Sequence, residues 1–191
     1  FEGAGIYYAA TEIEARWCRD TEVVVIGGGN SAGQAAMFLS RSTRHVHVLV
    51  RGKTLADSMS SYLVERLVKS LNITIHYRTQ VVGLAGEKAL SSVTIHSAED
   101  GQDWVLDARA VFVMVGAAPN TGWLQGRVAV DPQGYVLTGE AAGAAERGRH
   151  ATSCPGIFAV GDVRSGSVKR VASGVGEGSV VISEVWRYLN P

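Results

Sequence analysis

The pattern of apolar and polar positions first becomes regular at residues 22–50. An apolar run at Glu22–Ile26 is typical of a strand that is buried on both faces of a sheet. Three glycines follow, and a helix is predicted from Ser31 to about Arg44 because small apolar residues recur there at helical spacing, at Ala32, Ala35, Ala36 and Leu39. A second apolar run, His45–Val50, predicts the next strand. Together these elements span about 30 residues, the length of a parallel β-α-β crossover.

The middle of the chain continues this alternation and then departs from it. A helix is predicted from about Ala56 to Leu71, and a third strand at Ile73–Tyr77. Between residues 80 and 108 three short alternating segments joined by turns predict a small antiparallel excursion, at Val81–Ala85, Ser92–His96 and Trp104–Leu106. The predicted strand Ala110–Val115 then rejoins the main sheet and ends at Gly116. This order of elements predicts an α/β fold.

The last third of the chain is less regular. Gly139–His150 is rich in alanine, glycine and charged residues without apolar periodicity, and we expect a mobile surface loop there. One more apolar strand is predicted at Ile157–Val160. A Gly161-Asp162 corner follows it, and the chain closes with a helix predicted from about Val168 to Leu189.

The glycine-rich turn after the first strand carries the clearest chemical signal. Gly27, Gly29 and Ala32 match the spacing G-x-G-x-x-A, between a buried strand and a helix, which is the context that a dinucleotide-binding loop requires. Gly27 permits the tight turn, Gly29 lets backbone approach a pyrophosphate, and Ala32 lets the helix pack close to the strand. The helix N-terminus offers free amides to the phosphates, with Asn30 or Ser31 as its cap. We therefore predict a Rossmann-like NAD(P)-binding domain.

The residues after the second strand bear on the choice between the two nicotinamide dinucleotides. An acidic residue at this place holds the ribose hydroxyls of NAD, whereas a basic one accommodates the 2′-phosphate of NADP. Arg51 and Lys53 follow Val50 directly, without an acid. A guanidinium pairs with phosphate through two hydrogen bonds, so Arg51 is the first candidate ligand and Lys53 the second. NADPH is the expected cofactor, and two solvated basic residues in a turn are the alternative.

Composition narrows the range of partners. Lys plus Arg equals Asp plus Glu at 18 each, so no net field draws the chain to nucleic acid or to a membrane surface. The apolar runs are far shorter than the about 20 residues that a bilayer span needs. Cys18 and Cys154 have neither disulfide nor zinc spacing, which favours a reducing, cytoplasmic compartment. The five histidines lack metal-site spacing, so no metal is expected, and no side chain is assigned a catalytic role.

Several short segments are together similar to those of one family. They are Phe1-Glu2-Gly3-x-Gly5-Ile6-x-Tyr8, Gly27-Gly28-Gly29-Asn30-Ser31-Ala32, Val113-x-x-Gly116-x-x-Pro119-Asn120-Thr121, Gly134-Tyr135 and Thr152-Ser153-x-Pro155-Gly156-Ile157-Phe158-Ala159-Val160-Gly161-Asp162-Val163. Through them the chain resembles the low-molecular-weight thioredoxin reductases, which are flavoproteins with two dinucleotide-binding domains. The resemblance implies that residues 1–117 form the NADPH-binding domain with its linker strands, and that residues 118–191 form the C-terminal part of an FAD-binding three-layer domain. It further implies that the N-terminal FAD half is missing from this chain and that the full-length protein is a homodimer.

The same resemblance directs attention to a flavin site in the last third of the chain. Asp162, after a buried strand, can accept hydrogen bonds from flavin ribityl hydroxyls, and Gly161 lets the cofactor come close. The helix that follows would direct its N-terminal amides at the flavin pyrimidine, where negative charge accumulates on reduction. The family's flavin-edge segment corresponds to Lys169, Arg170, Val171 and Ala172. A plain turn and N-cap is the alternative for the Gly-Asp pair, and Gly116 completes the expected cofactor-binding residues.

The resemblance fails at the residues that carry the family's redox chemistry. Those reductases have the dithiol Cys-Ala-Thr-Cys, where this sequence has Ala9-Ala10-Thr11-Glu12. Neither alanine nor glutamate can attack a disulfide, and Cys18 and Cys154 are expected to be inert packing residues. The expected function is hydride transfer from NADPH to FAD and on to an acceptor not served by an internal dithiol. That acceptor could be an external disulfide, a ferredoxin or second flavin, a quinone or oxygen, and the alternative function is a nucleotide-binding regulatory module, of a fused or partner protein, without redox turnover.

Overall fold

The computed structural model describes residues 1–191, which divide into two compact units, Phe1–Gly116 and Ala117–Pro191. The strands of the first unit are β1 (Ile6–Tyr7), β2 (Glu22–Ile26), β3 (His45–Val50), β4 (Ile73–Tyr77), β5 (Thr79–Gly86), β6 (Leu90–Ser97), β7 (Asp103–Leu106) and β8 (Ala108–Val113). Five of them form a parallel sheet in the order β1-β8-β2-β3-β4, and β5, β6 and β7 form an antiparallel sheet. The predicted α/β fold and its antiparallel excursion are confirmed.

The centre of the parallel sheet is the strand that the sequence marks most clearly. Val24 of β2 pairs with His47 of β3 on one side and with Val111 of β8 on the other. Val23, Val24 and Val25 have no exposed surface. The predicted bounds of β2, β3 and β4 are confirmed residue for residue. β2 is an apolar run after Glu22, as is typical of a strand buried on both faces, whereas β3 and β4 also contain polar residues.

Two helices cover one face of this sheet. They are α2 (Asn30–Leu39) and α3 (Ser61–Lys69), and α1 (Glu12–Trp17) precedes them in the chain. Their contact requires a glycine, because a Cβ atom at Gly33 would lie 2.6 Å from Cδ2 of Leu63. Gly33 therefore determines how closely α2 and α3 pack. The two helices cover the apolar face of the sheet that includes Val23, Val25, Val46 and Val48.

The predicted ends of these two helices are wrong. α2 stops at Leu39 rather than near Arg44, because the chain turns back there and the Thr43 hydroxyl donates to the Leu39 carbonyl at 2.9 Å. α3 begins at Ser61 rather than near Ala56. The earlier start was suggested by Met59, which is indeed buried, but as an anchor of a loop rather than as part of a helix.

The antiparallel sheet covers the opposite face of the parallel sheet. Leu90, Val93 and Ile95 of β6 pack in one cluster with Val24 and Leu49. Side chains alternate along β6 between this cluster and the outer face, as expected for a strand with one buried face. The parallel sheet is thus enclosed on both sides, which is the usual condition of parallel strands.

Polar side chains occupy one part of that second face. His47 Nδ1 lies 3.0 Å from His76 Nε2, and His47 Nε2 lies 3.2 Å from Glu22 Oε2. The His76 ring is 6.1 Å from the ring of Trp104, centroid to centroid. Burial lowers the pKa of His47, and burial together with the neighbouring His47 lowers the pKa of His76 to about 4. The folded state therefore favours neutral imidazoles in this cluster.

The second unit contains one long helix, α4 (Val171–Leu189), and four 3₁₀ turns. The turns are Gly122–Leu124, Gly139–Ala142, Ala145–Arg147 and Gly161–Val163. α4 begins at Val171, after the predicted Val168, and the predicted strand Ile157–Val160 is absent. Only an isolated bridge joins Phe158 to Ala151, because that apolar segment has no extended neighbour with which to pair.

The segment Gly139–His150 is largely exposed, as expected, but its end is buried. It contains two of the 3₁₀ turns, and its last residue, His150, is 2% exposed. The His150 amide and Nδ1 each lie 3.0 Å from a different carboxylate oxygen of Glu184, on α4. Polar contacts fix this end of the segment, so the absence of apolar periodicity was a poor guide to its burial.

The histidine cluster predicts a pH dependence of stability. His76 has a pKa of about 4 when folded and an ordinary value of 6.5, so the unfolded chain binds more protons between these values. The free energy of unfolding should therefore decrease as the pH falls from about 6.5 to about 4. Urea unfolding across this range measures the slope, and His76→Gln should reduce it. An equal slope in the variant would contradict the assignment.

Candidate functional site

The turn between β2 and α2 is pressed against the end of β8. Gly27 has a φ of 141°, and a Cβ atom there would lie 2.5 Å from the carbonyl oxygen of Met114. The Gly27 amide donates to the Leu49 carbonyl at 3.0 Å. Only glycine fits this conformation and this approach, so Gly27 fixes the turn between the ends of β3 and β8.

The N-terminus of α2 has no side-chain cap. Gly29 is the N-cap residue, with a φ of −93°, and no side chain accepts a hydrogen bond from the first turn. The expectation that Asn30 or Ser31 caps the helix is wrong, because both lie inside it. Asn30 Oδ1 instead accepts a hydrogen bond from the Ser60 amide at 2.8 Å. The first-turn amides therefore remain available for an anion, beside the positive end of the helix dipole.

A cleft of about 820 Å³ opens at this turn. It is lined by most of the residues predicted to bind the dinucleotide, namely Gly27, Gly29, Asn30, Ser31, Arg51 and Gly116. Ala32 has no exposed surface, and Lys53 is exposed in the same loop as Arg51 but is not part of the lining. The structure thus brings the glycine-rich turn and Arg51 to one cleft, whose volume is in the range of roughly 300–1,000 Å³ typical of small-molecule sites.

Residues 51–60 form one wall of the cleft. Leu55 and Met59 anchor this loop in the core, at 1% and 5% exposure. The Ser58 hydroxyl donates to the Gly28 carbonyl at 2.8 Å. Ser58 and Asp57 line the cleft as well. Sequence reasoning missed both, because no local spacing signals a hydrogen bond between residues so far apart in the chain.

The segment Ala9-Ala10-Thr11-Glu12, where the resemblance raised the expectation of a dithiol, leads into α1. Thr11 is the N-cap of α1, and its amide donates to the Glu14 carboxylate at 2.9 Å in a capping box. Ala9 and Ala10 line a smaller cleft of about 300 Å³ beside Phe38. Cys18 is 2% exposed, and burial raises its pKa to about 11, so its thiol is protonated at neutral pH.

The Gly161-Asp162 corner of the second unit is bound by the carboxylate of Glu177. Gly161 has a φ of 72°, and its amide donates to Glu177 Oε2 at 2.7 Å. Arg164 Nε donates to the same oxygen at 3.2 Å. The hydrogen bonds from Arg164 lower the pKa of Glu177 to about 2, so the Glu177 carboxylate is ionised at neutral pH. Glu177 and Arg164 were not among the predicted residues.

The groups around this corner fit the polar contacts expected of a flavin. Asp162 is exposed, and its carboxylate makes no hydrogen bond within the chain. Arg170 is the N-cap of α4 but makes no capping hydrogen bond with its side chain, so the amides of Val171 and Ala172 keep no protein acceptor. Lys169 lies 3.8 Å from the centroid of the Tyr135 ring. A free carboxylate and free helix-end amides are the donor and acceptor set that ribityl hydroxyls and a pyrimidine require.

Two further properties concern metals and membranes. No group of three or more histidine, cysteine, aspartate or glutamate side chains is placed to hold a metal ion. None of the helices combines the length and the apolar character needed to cross a bilayer.

Comparison with protein families identifies the chain. The family model described as pyridine nucleotide-disulphide oxidoreductase matches residues 3–178. The chain belongs to this family. The glycine-rich turn, the Arg51 loop and the Gly161 corner therefore all lie inside the region that defines membership.

Relatives within this pyridine nucleotide-disulphide oxidoreductase family are thioredoxin reductases. The chain is 34% identical to the NADPH-dependent thioredoxin reductase 3 of Arabidopsis thaliana over 87% of this chain and 30% of that protein. It is 33% identical to the thioredoxin reductase of Chlamydia trachomatis over 90% of this chain and 52% of that protein. The chain therefore spans only about a third to a half of these two proteins.

Solved structures agree with these sequence relatives. The thioredoxin reductase of T. acidophilum superposes with a TM-score of 0.82 at 27% identity, over 99% of this chain and 59% of that one. The Lactococcus lactis thioredoxin reductase, in its FR conformation, gives a TM-score of 0.81 at 26% identity, over 98% and 58% of the two chains. The fold and the resemblance to thioredoxin reductases are thus confirmed over the whole chain.

Gly27 and Gly29 of the turn should respond differently to a methyl group. Gly27→Ala should reduce the free energy of unfolding by about 1–3 kcal/mol, because it combines a strained φ with a collision against backbone. Gly29→Ala should change stability by less than about 1 kcal/mol, since its φ is ordinary and the nearest atom to an added Cβ is 3.8 Å away. Urea unfolding of both variants measures this, and equal losses would contradict the role of Gly27.

Proposed function

We propose that this chain is the NADPH-binding part, with the C-terminal FAD-binding segment, of a thioredoxin reductase-like flavin oxidoreductase. The observation that carries the proposal is the cleft that joins the uncapped N-terminus of α2 to Arg51. Residues 1–117 would form the NADPH-binding domain and residues 118–191 the FAD segment. The division of the structure after Gly116 supports these bounds, which the sequence places one residue later.

The glycine-rich turn is the proposed site of the pyrophosphate. The free first-turn amides of α2 would donate to its oxygens, and the absence of a Cβ at Gly29 lets the cofactor approach the backbone. Gly116, with a φ of 92° at the end of β8, lines the same cleft. These contacts are common to NADPH and NADH, so they give affinity without selectivity.

Arg51 is the proposed source of selectivity for NADPH. It is exposed in the cleft wall, and no acid from the chain pairs with it. Asp57 lines the same cleft. Its negative charge opposes the binding of a 2′-phosphate, whereas the positive charge of Arg51 favours it. The response of the two dinucleotides to removal of Arg51 therefore decides between NADPH and NADH.

The Gly161 corner is the proposed FAD contact of the chain. Asp162 would accept hydrogen bonds from the ribityl hydroxyls, while Glu177 keeps Gly161 in the conformation that exposes this carboxylate. The amides of Val171 and Ala172, with Arg170 beside them, would stabilise negative charge on the pyrimidine. When both cofactors are bound, the reduced nicotinamide supplies a hydride and the flavin accepts it.

The proposed electron acceptor is one that no dithiol within these 191 residues serves. Ala9 and Glu12 cannot shuttle electrons, and the buried Cys18 thiol is not a nucleophile at neutral pH. An external disulfide, a ferredoxin or second flavin, a quinone or oxygen would take the electrons. A homodimer and a cytoplasmic location complete the proposal, and both stay predictions.

The cofactor assignment is tested by removing Arg51. Arg51→Ala should raise the NADPH dissociation constant about 10- to 100-fold, the loss expected for a charged hydrogen-bonding pair. The NADH dissociation constant should change by less than about twofold. Arg41→Ala is the matched control, since Arg41 is an exposed arginine at the end of α2 outside the cleft. Titration calorimetry measures all four constants, and equal effects on NADPH and NADH would exclude a 2′-phosphate ligand.

The flavin assignment is tested by comparing this chain with the full-length protein. The 191-residue chain should bind NADPH but retain no stoichiometric FAD, because the proposal assigns it only part of the FAD site. The full-length protein should be yellow, and anaerobic NADPH should bleach the visible absorbance of its oxidised flavin.

Three outcomes separate the alternatives. Stoichiometric FAD in the 191-residue chain would contradict the proposed division of the FAD site. A full-length protein that binds NADPH but no flavin would instead support a regulatory module. After bleaching, addition of each candidate acceptor in turn identifies the one that restores the absorbance.

A further inference from the structure

The Arg51 loop and the glycine-rich turn are joined by two hydrogen bonds. The Ser58 hydroxyl donates to the Gly28 carbonyl, and the Ser60 amide donates to Asn30 Oδ1, each at 2.8 Å. Both bonds connect the loop 51–60, which has no helix or strand, to the turn that begins α2. The anchors Leu55 and Met59 and a hydrogen bond from the Arg78 amide to the Gly52 carbonyl at 3.1 Å also hold the loop.

The close fit at Gly28 shows how tightly the two segments are matched. A Cβ atom on Gly28 would lie 3.2 Å from Cγ1 of Val50 and 3.5 Å from Oγ of Ser58. Val50 is the residue immediately before Arg51. Gly28 thus leaves little room for a side chain beside Val50 and Ser58, and its carbonyl binds the loop through the Ser58 hydroxyl.

The Ser58 bond also has a consequence for the proposed pyrophosphate site. In a planar trans peptide the carbonyl and the amide of the next residue point in opposite directions. By binding the Gly28 carbonyl, Ser58 fixes the orientation of the Gly28–Gly29 peptide and hence the direction of the Gly29 amide. Gly29 lines the cleft at the start of α2. One hydroxyl thus affects both a phosphate-facing amide and the loop that bears Arg51.

We propose that Ser58, with Asn30, is a positioning residue for dinucleotide selectivity, which couples the phosphate-binding turn to the Arg51 loop. The inference rests on the proposed function, because it takes Arg51 as the 2′-phosphate ligand. Ser58 need not touch the cofactor. It makes NADPH binding depend on a loop geometry that NADH binding does not use.

The test is a comparison of selectivity, defined as the NADH dissociation constant divided by the NADPH dissociation constant. Ser58→Ala should raise the NADPH constant about 5- to 10-fold and the NADH constant about twofold, so selectivity should fall several-fold. Ser58→Thr retains the hydroxyl and should restore most of the selectivity. Ser60→Ala is the matched control two residues away, because only the amide of Ser60 is used and its hydroxyl makes no hydrogen bond.

A double variant distinguishes positioning from general weakening of the site. If Ser58 acts through Arg51, then Arg51→Ala combined with Ser58→Ala should have the same selectivity as Arg51→Ala alone. A merely structural role of Ser58 would lower the affinity for both dinucleotides equally in either background. If Ser58→Ala does not fold, as judged by its thermal transition, Asn30→Ala removes the second bond and should reduce selectivity in the same direction.

The outcomes separate this inference from the function on which it rests. Unchanged selectivity in Arg51→Ala would overturn the proposed 2′-phosphate role. Reduced selectivity in Arg51→Ala with unchanged selectivity in Ser58→Ala would overturn only the positioning role. Equal selectivity in Ser58→Ala and Ser60→Ala would likewise overturn only the positioning role of Ser58.

Discussion

The position of Gly27 between β3 and β8 is the constraint on which the candidate site depends. The Gly27 amide is bound to the Leu49 carbonyl, and its Cα faces the Met114 carbonyl so closely that no side chain fits. Movement of the turn away from β3 would break the hydrogen bond to Leu49, and movement towards β8 is blocked by the Met114 carbonyl. Gly29 consequently begins α2 at a fixed place at the carboxyl end of the sheet, where ligands bind in open α/β folds. The small Ala32 beneath the turn permits this approach.

The parts of the fold that could be predicted are those whose pattern is set by burial on regular elements. β2, β3 and β4 were predicted with their bounds because β-branched residues recur along each of them. Met59 shows why the helix start failed: a buried loop anchor is indistinguishable in sequence from a helical position. His150 shows the converse, since its burial depends on Glu184, a partner distant in the chain that no local pattern indicates.

The candidate site also contains residues that the sequence could predict and residues that it could not. Gly27, Gly29 and Arg51 follow from a local motif with a known geometric reason, and the structure brings them to one cleft. Ser58 and Glu177 act through hydrogen bonds across 30 and 16 residues, and spacing carries no information about such bonds. The capping box of Thr11 and Glu14 was within reach of sequence reasoning, because a threonine three residues before a glutamate is a recognised start of a helix.

The capping box gives the segment that lacks the dithiol a structural role at the start of α1. Glu12 lies in the first turn of α1, where the helix dipole favours an acid, and it is 3.6 Å from Arg16 one turn later. Thr11 and Glu14 form hydrogen bonds with the backbone amides at the N-terminus of the same helix. Of the two residues in the place of the cysteines, Glu12 therefore stabilises the first turn of α1, whereas Ala9 precedes the helix. Under the proposed function, no thiol of this segment relays electrons, so an acceptor has to approach the flavin itself.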